Sequence, residues 1–189
     1  MNRKDYILFD LDGTLTDPKE GITKSVQHAL AHFGIQTDDL DSLTPFIGPP
    51  LRDSFKKYYG FSDEQAWEGV QAYREYFSVR GWVQNKEYPG IKEMLEALKE
   101  AGRVLLVATS KPEKFARKIL EHFDMADYFD FIGGADMGET RVRKGDVIRY
   151  VLEQCGLEPD DETIGRCVMV GDREHDVLGA RECGMECVG

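Results

Sequence analysis

The chain has little cysteine: the four it carries stand at 155, 167, 183 and 187, in the last fifth of its 189 residues. A disulfide framework needs cysteines spread across the fold it staples, so these thiols are expected to stay reduced. Cys183 and Cys187 have a metal-ligand look, but no second Cys or His pair completes a zinc pattern. Basic side chains are in deficit as well, 24 against 35 acidic ones, for a formal charge of −11. Such a chain repels nucleic-acid backbones and anionic membranes. To take an anionic ligand, it must reverse the field locally with Lys, Arg or a metal cation. Long apolar runs are also missing. After Met1-Asn2-Arg3-Lys4-Asp5 comes only Tyr6-Ile7-Leu8-Phe9, too short for a signal-peptide core or a membrane span. The expectation is a cytoplasmic protein with neither a membrane nor a nucleic-acid polymer among its partners.

What is present suits a globular fold. Hydrophobic residues make up 41% and charged residues 31%, enough for one sizeable domain or a compact core with an insertion. Tyr6 to Phe9 reads as a strand buried on both faces. A helix is expected from Asp17-Pro18, where Asp suits the cap and Pro the first turn, to Gly34. Ile22, Val26, Ala29, Leu30 and Phe33 recur along it at helical spacing. Further helical patterns run over 50–59 and 62–79, and no convincing strand lies between 17 and 85. After Tyr88-Pro89-Gly90 the rhythm changes. Strands over 104–108, 131–133, 167–170 and 186–188 alternate with helices over 91–101, from Pro112, over 144–155 and over 174–183. This alternation predicts an α/β fold, a doubly wound parallel sheet over 1–16 and 86–189, with an inserted all-helical domain over 17–85.

In open parallel sheets, chemistry gathers beyond the carboxyl ends of the strands. There this sequence places Asp10-Leu11-Asp12-Gly13-Thr14, then Thr109-Ser110-Lys111, then Lys144 opening a helix, then Gly171-Asp172 with Asp176 one turn on. Four carboxylates on one edge repel one another, by about 4 kcal/mol for two charges ~4 Å apart at an effective dielectric near 20. A hard cation such as Mg²⁺ offsets that repulsion and prefers oxygen ligands. Each motif has a plainer reading: the Asp-Gly stretch as a turn, Thr109 and Ser110 as caps, Lys144 and Asp176 as solvated surface residues. Their order and strand-end placement, taken together, favour a site. His28 and His32, four apart, read as a solvated helix face, and His175 as a helix-start residue. Tyr58, Tyr59, Tyr73, Tyr76 and Phe77 read as core of the helical insertion.

Asp10-x-Asp12-Gly13-Thr14, Thr109, Lys144 and Gly171-Asp172-x-x-x-Asp176 resemble the four motifs of the haloacid dehalogenase superfamily. The resemblance covers nearly the whole chain, with the helical insertion where that family places its cap domain. Gly48-Pro49-Pro50-Leu51, Tyr88-Pro89-Gly90 and Gly171-Asp172-Arg173-Glu174-His175-Asp176 are similar to its phosphoglycolate phosphatase and 5′-nucleotidase branch. Relatives usually continue past the strand at 186–188, where this sequence ends at Gly189.

The resemblance implies a phosphatase of a small phosphorylated metabolite, acting as monomer or homodimer with Mg²⁺ as cofactor. Asp10 would be the nucleophile and Asp12 the acid–base. Thr109, Ser110 and Lys144 would grip the phosphoryl oxygens. Asp10, Asp12 (through its carbonyl), Asp172 and Asp176 would hold the metal. Lys111, Arg141 and Arg143 are further candidates for the local positive field. Gly48, Pro49, Leu51 and Arg52 would meet the substrate from the cap. Two rivals share these residues: a sugar phosphomutase using the same aspartyl phosphate, and a non-catalytic phosphometabolite-binding module. Mutase relatives carry an Arg three residues past the cap glycine, where this chain has Leu51. A mere binding module has no need of both Asp12 and Lys144.

Overall fold

The computed structural model describes residues 3–138 and 140–189. Met1 and Asn2, which open the stretch too short for a leader, lie outside the described residues. In chain order the elements are β1 (Tyr6–Phe9), β2 (Thr16–Asp17), α1 (Lys19–His32), α2 (Leu51–Tyr59), α3 (Asp63–Val79), β3 (Lys86–Glu87), α4 (Ile91–Glu100), β4 (Val104–Pro112), α5 (Glu113–His122), β5 (Phe131–Ala135), α6 (Lys144–Gln154), α7 (Asp161–Gly165), β6 (Cys167–Val170), α8 (Glu174–Glu182) and β7 (Glu186–Val188).

The unbroken apolar runs form the centre of one sheet, ordered β5-β4-β1-β6-β7, with every pairing parallel. Leu8, Leu106 and Met169 are fully buried, as central strands covered on both faces require. In register, Phe9 lies beside Val107 on one side and Val170 on the other. The chain leaves β1 toward β4 and β5, then returns across it to β6 and β7. This reversal opens a crevice at the carboxyl end of β1, where open α/β sheets bind ligands. On one face, Val147, Ile148, Val151 and Leu152 of α6 and Ala180 of α8 pack on Leu8, Leu106 and Met169.

The chain divides into two compact units, Asp17–Lys86 and Met1–Thr16 with Glu87–Gly189. Between them it passes through β2 and β3, which form a two-stranded sheet of their own, too short to register in a periodicity reading. In the helical unit, α1, α2 and α3 close around Val26, Leu30, Phe46, Phe55, Val70 and Phe77, all buried. The start of α3 is set by a reciprocal cap: Ser62 Oγ accepts the Gln65 N–H at 3.2 Å, and Gln65 Oε1 accepts the Ser62 N–H at 3.0 Å. Tyr73 and Phe77 are core as expected, but Tyr58 is 44% exposed. Its ring lies 5.7 Å from that of Phe46 at the edge of the core, where Phe55 is the fully buried residue of α2. His28 and His32 are exposed, facing Glu75 at 3.7 Å and Glu68 at 2.7 Å on α3.

Two other expectations need correction. Strand β4 does not stop at Ala108 but continues to Pro112, with a register irregularity between Thr109 and Pro112. Polar Thr109-Ser110-Lys111 ended the apolar run, yet their backbone stays extended because β5 still pairs with it. The short helix α7 was not anticipated; five residues are too few to show a helical period, and Asp160 caps it by accepting the Thr163 N–H at 2.7 Å. Among the described residues, no helix is long and apolar enough to cross a membrane.

Candidate active site

β1 ends at Phe9, and the next residue, Asp10, is 4% exposed. Its backbone N–H donates to the Val170 carbonyl of β6 at 2.9 Å, which fixes the carboxylate at the strand crevice. The chain then turns tightly, with the Gly13 N–H on the Thr16 carbonyl at 2.8 Å. Gly13 has φ +93°, and a Cβ there would stand 2.5 Å from the Asp172 carboxylate. Glycine is required twice over, for its backbone and for the space that Asp172 fills. Gly171 has a similar role, since a Cβ on it would collide with the Asp176 carboxylate.

Lys144, the first residue of α6, is buried, and its Nζ is shared among three oxygens. It lies 2.7 Å from Asp10 Oδ1, 2.7 Å from Asp176 Oδ1 and 2.8 Å from the Ala108 carbonyl. Burial alone would lower its pKa, but the charges of Asp10 and Asp176 outweigh it and hold the ammonium protonated above the usual lysine range. Asp176 is 1% exposed, so it does not face water on its helix. Burial pushes its carboxyl upward, the Asp10 charge adds to that, and Lys144 opposes both.

Asp12 is paired differently. Lys111 Nζ stands 2.8 Å from Asp12 Oδ2, with both side chains under 10% exposed. Asp12 Oδ1 is buried and has no hydrogen-bond partner, an unusual condition for a buried polar atom. Burial raises the Asp12 pKa, and the Asp10 charge raises it further against the pull of Lys111. Thr109 is buried, and its Oγ accepts the Lys111 N–H at 3.2 Å; Ser110 is half-buried beside it.

One carboxylate oxygen each from Asp10, Asp172 and Asp176 lies within 4.8 Å of the others. An all-oxygen set of this kind fits Mg²⁺ better than a softer metal. The Asp12 carboxylate is not part of that trio and is engaged by Lys111, which leaves its backbone carbonyl as the group expected to face a metal. Thr14 Oγ donates to Asp172 Oδ1 at 3.3 Å.

Two of the extra basic candidates are placed elsewhere. The Arg141 guanidinium lies 3.5 Å over the Tyr150 ring and donates through Nε to the Gly134 carbonyl at 3.0 Å. Arg143 is exposed at the start of α6. Lys111 does reach the site. Arg173, given no role from sequence, has its Nε 3.0 Å from Asp172 Oδ2; its adjacency to a clustered carboxylate was the available signal. Gly48 and Pro49 lie in a bend before α2, and Leu51 and Arg52 in its first turn. Within the helical unit, Arg52 faces Asp63 at 3.8 Å and the Trp67 ring at 5.8 Å.

Residues 7–189 match the family model described as haloacid dehalogenase-like hydrolase. The chain is 51% identical over 183 residues to a 5′-nucleotidase of Pseudomonas aeruginosa, covering 97% of this chain and 80% of that protein. It is 44% identical over 182 residues to the tyrosine-protein kinase PtkA of Mycobacterium tuberculosis, covering 96% of this chain and 60% of that one. A phosphoglycolate phosphatase of Aquifex aeolicus is 34% identical over 179 residues, with 94% of this chain and 80% of that protein covered. Among solved structures, a predicted phosphatase from Clostridium acetobutylicum superposes with a TM-score of 0.95 at 47% identity, over 100% of this chain and 85% of that one.

Proposed function

The chain belongs to the haloacid dehalogenase-like hydrolases, and from that premise we propose that it is a phosphatase of small phosphate monoesters working through a phosphorylated Asp10. The observation that carries this reading is the setting of Asp10: a buried carboxylate at the mouth of a parallel sheet, with a shared ammonium 2.7 Å away. In the first step an Asp10 oxygen attacks phosphorus, the ester P–O bond breaks, and the leaving oxygen takes the proton of Asp12. In the second, Asp12 accepts a proton from water as that water attacks the acyl phosphate, releasing inorganic phosphate and restoring both carboxyl groups. Thr109, Ser110 and Lys144 hold the phosphoryl oxygens, with Lys144 placed to offset charge that moves onto them. Asp10, Asp172 and Asp176, with the Asp12 carbonyl, would hold Mg²⁺, whose charge would serve the same oxygens.

The raised Asp12 pKa suits its acid role, since burial keeps a proton there at pH values where an exposed Asp has lost it. Lys111 opposes this, so Lys111→Met is expected to raise the Asp12 pKa further and move the alkaline limb of the kcat/KM–pH profile upward. The same sign applies to stability. A carboxyl whose folded pKa exceeds its unfolded value favours the fold below the unfolded value and loses that contribution as pH rises through the folded one. The Lys111→Met variant should therefore lose more stability than wild type between pH 5 and pH 8, measured by urea unfolding. An alkaline limb that stays in place would assign the acid role to another group.

The substrate favoured is a 5′-nucleoside monophosphate over 2-phosphoglycolate. The higher identity to the nucleotidase supports this; the Phe46-Ile47 part of the apolar loop adds nothing to it, because both side chains are buried in the core of the helical unit. Arg52, the cation a glycolate carboxylate would need, is engaged by Asp63 and Trp67. A phosphate-release screen over nucleotides, sugar phosphates and phosphoglycolate tests it; a higher kcat/KM for phosphoglycolate than for every nucleotide would reverse the order. In the same screen, activity is expected to need Mg²⁺, to vanish in EDTA and to be inhibited by the larger, more loosely coordinated Ca²⁺. Full turnover after verified metal removal would refute the metal assignment. An acyl phosphate has another fate, transfer to a hydroxyl instead of water, and one relative is named as a tyrosine-protein kinase. Product analysis for a phosphorylated acceptor distinguishes that outcome, and a mutase, from hydrolysis.

A further inference from the structure

Among the described residues, three cations face the four carboxyl groups of the site. The two lysines are sealed in: Lys144 against Asp10 and Asp176, and Lys111 against Asp12. The third pair is open, with the side chains of Arg173 and Asp172 39% and 34% exposed. Asp172 is thus the solvent-facing member of the carboxylate trio, and Arg173 is the fixed charge beside it.

The contact is not a directional one. Arg173 Nε lies 3.0 Å from Asp172 Oδ2, yet its buried N–H makes no hydrogen bond. A residue that orients a ligating carboxylate does so through an aligned hydrogen bond. One that stands beside it without alignment acts through charge alone. Arg173 is also not needed to hold the Asp176 carboxylate, because that contact uses the Arg173 backbone N–H, at 3.0 Å from Asp176 Oδ2. Its side chain can therefore change without disturbing the start of α8.

We infer that Arg173 weakens divalent-cation binding at Asp172 by presenting a fixed positive charge to that carboxylate. This rests on the reading of Asp10, Asp172 and Asp176 as the holders of Mg²⁺. Cation occupancy then responds to Mg²⁺ concentration over a higher range than it would with Asp172 unopposed. Arg173 is a tuning residue in this account and takes no part in the chemical steps.

The test is calorimetric titration of Mg²⁺ into the full chain without substrate, for wild type, Arg173→Gln, Arg173→Lys and Asp172→Asn. Because the pair is partly exposed, Arg173→Gln should tighten Mg²⁺ binding by only about three- to tenfold at low salt. Raising NaCl to screen the charge should narrow that gap. Arg173→Lys, which keeps the charge, should bind like wild type. Equal or weaker binding by Arg173→Gln, with binding still dependent on Asp172, overturns this inference and leaves the metal assignment standing. Binding that Asp172→Asn leaves unaltered overturns both.

Discussion

Asp10→Asn is expected to reduce phosphate release from p-nitrophenyl phosphate by at least roughly a thousandfold while the fold remains intact. An amide of nearly the same size fills the same buried space, so packing around β1 is unaffected. It offers phosphorus no anionic oxygen, and Asp12, held by Lys111 at 2.8 Å, is not free to take over the attack. Lys144 keeps Asp176 and the Ala108 carbonyl as partners, so its ammonium stays satisfied. One charge leaves a site where carboxyl groups crowd together, and the melting temperature without metal should hold or rise. Circular dichroism and a thermal melt check the fold, and malachite-green assays check the rate. Residual activity within tenfold of wild type would mean that another group makes the first attack.

Lys144→Met should lose activity on a similar scale and, unlike Asp10→Asn, should also lose stability. Removing one member of a buried ion pair leaves an uncompensated charge, at a cost of about 3–5 kcal/mol. Here two carboxylates lose their common partner, but Asp176 already has a raised pKa and can take up a proton instead. The cost should therefore sit near the lower end, about 3 kcal/mol, or a fall in Tm of roughly 6–12 °C for a chain of this size. It should grow from pH 5 to pH 8, because proton uptake by the orphaned carboxylates becomes harder as pH rises. Added Mg²⁺ should restore part of the stability without restoring turnover, and Asp176→Asn in the Lys144→Met background should restore part of it at every pH. An unchanged Tm would mean that Lys144 contributes to chemistry alone.

Much of the core was legible because parallel central strands leave an unmistakable trace. Tyr6 to Phe9, Val104 to Ala108 and Cys167 to Val170 are apolar at successive positions, since both faces of each strand are buried. The helices declared themselves by spacing and, for α1, by the glycine that follows it, Gly34, where φ is +73°. From the alternation of these elements came the parallel sheet, and from the sheet the rule that polar residues just past its strands converge. Asp10 and Asp172 were singled out in that way, as was Thr109, which lies within the longer β4, and Lys144 by the helix it opens.

Which side chains pair was decided only in three dimensions. Lys144 and Asp10 are 134 positions apart, and nothing local to either residue states that they meet. The register that sets Phe9 beside Val107 and Val170 brings them together, and helix α6 then delivers the lysine. The fold buries Asp176, against the plainer reading of a solvated helix residue, and sets Arg141 over Tyr150. A different pairing, with β5, carries β4 past its apolar run to Pro112, holding polar residues extended where composition alone would end the strand. Hydrophobic period is a property of neighbours along the chain, and so it survives in the sequence. The pairing of Lys144 with Asp10 and the burial of Asp176 depend on distances across the sheet, which exist only once the chain has folded.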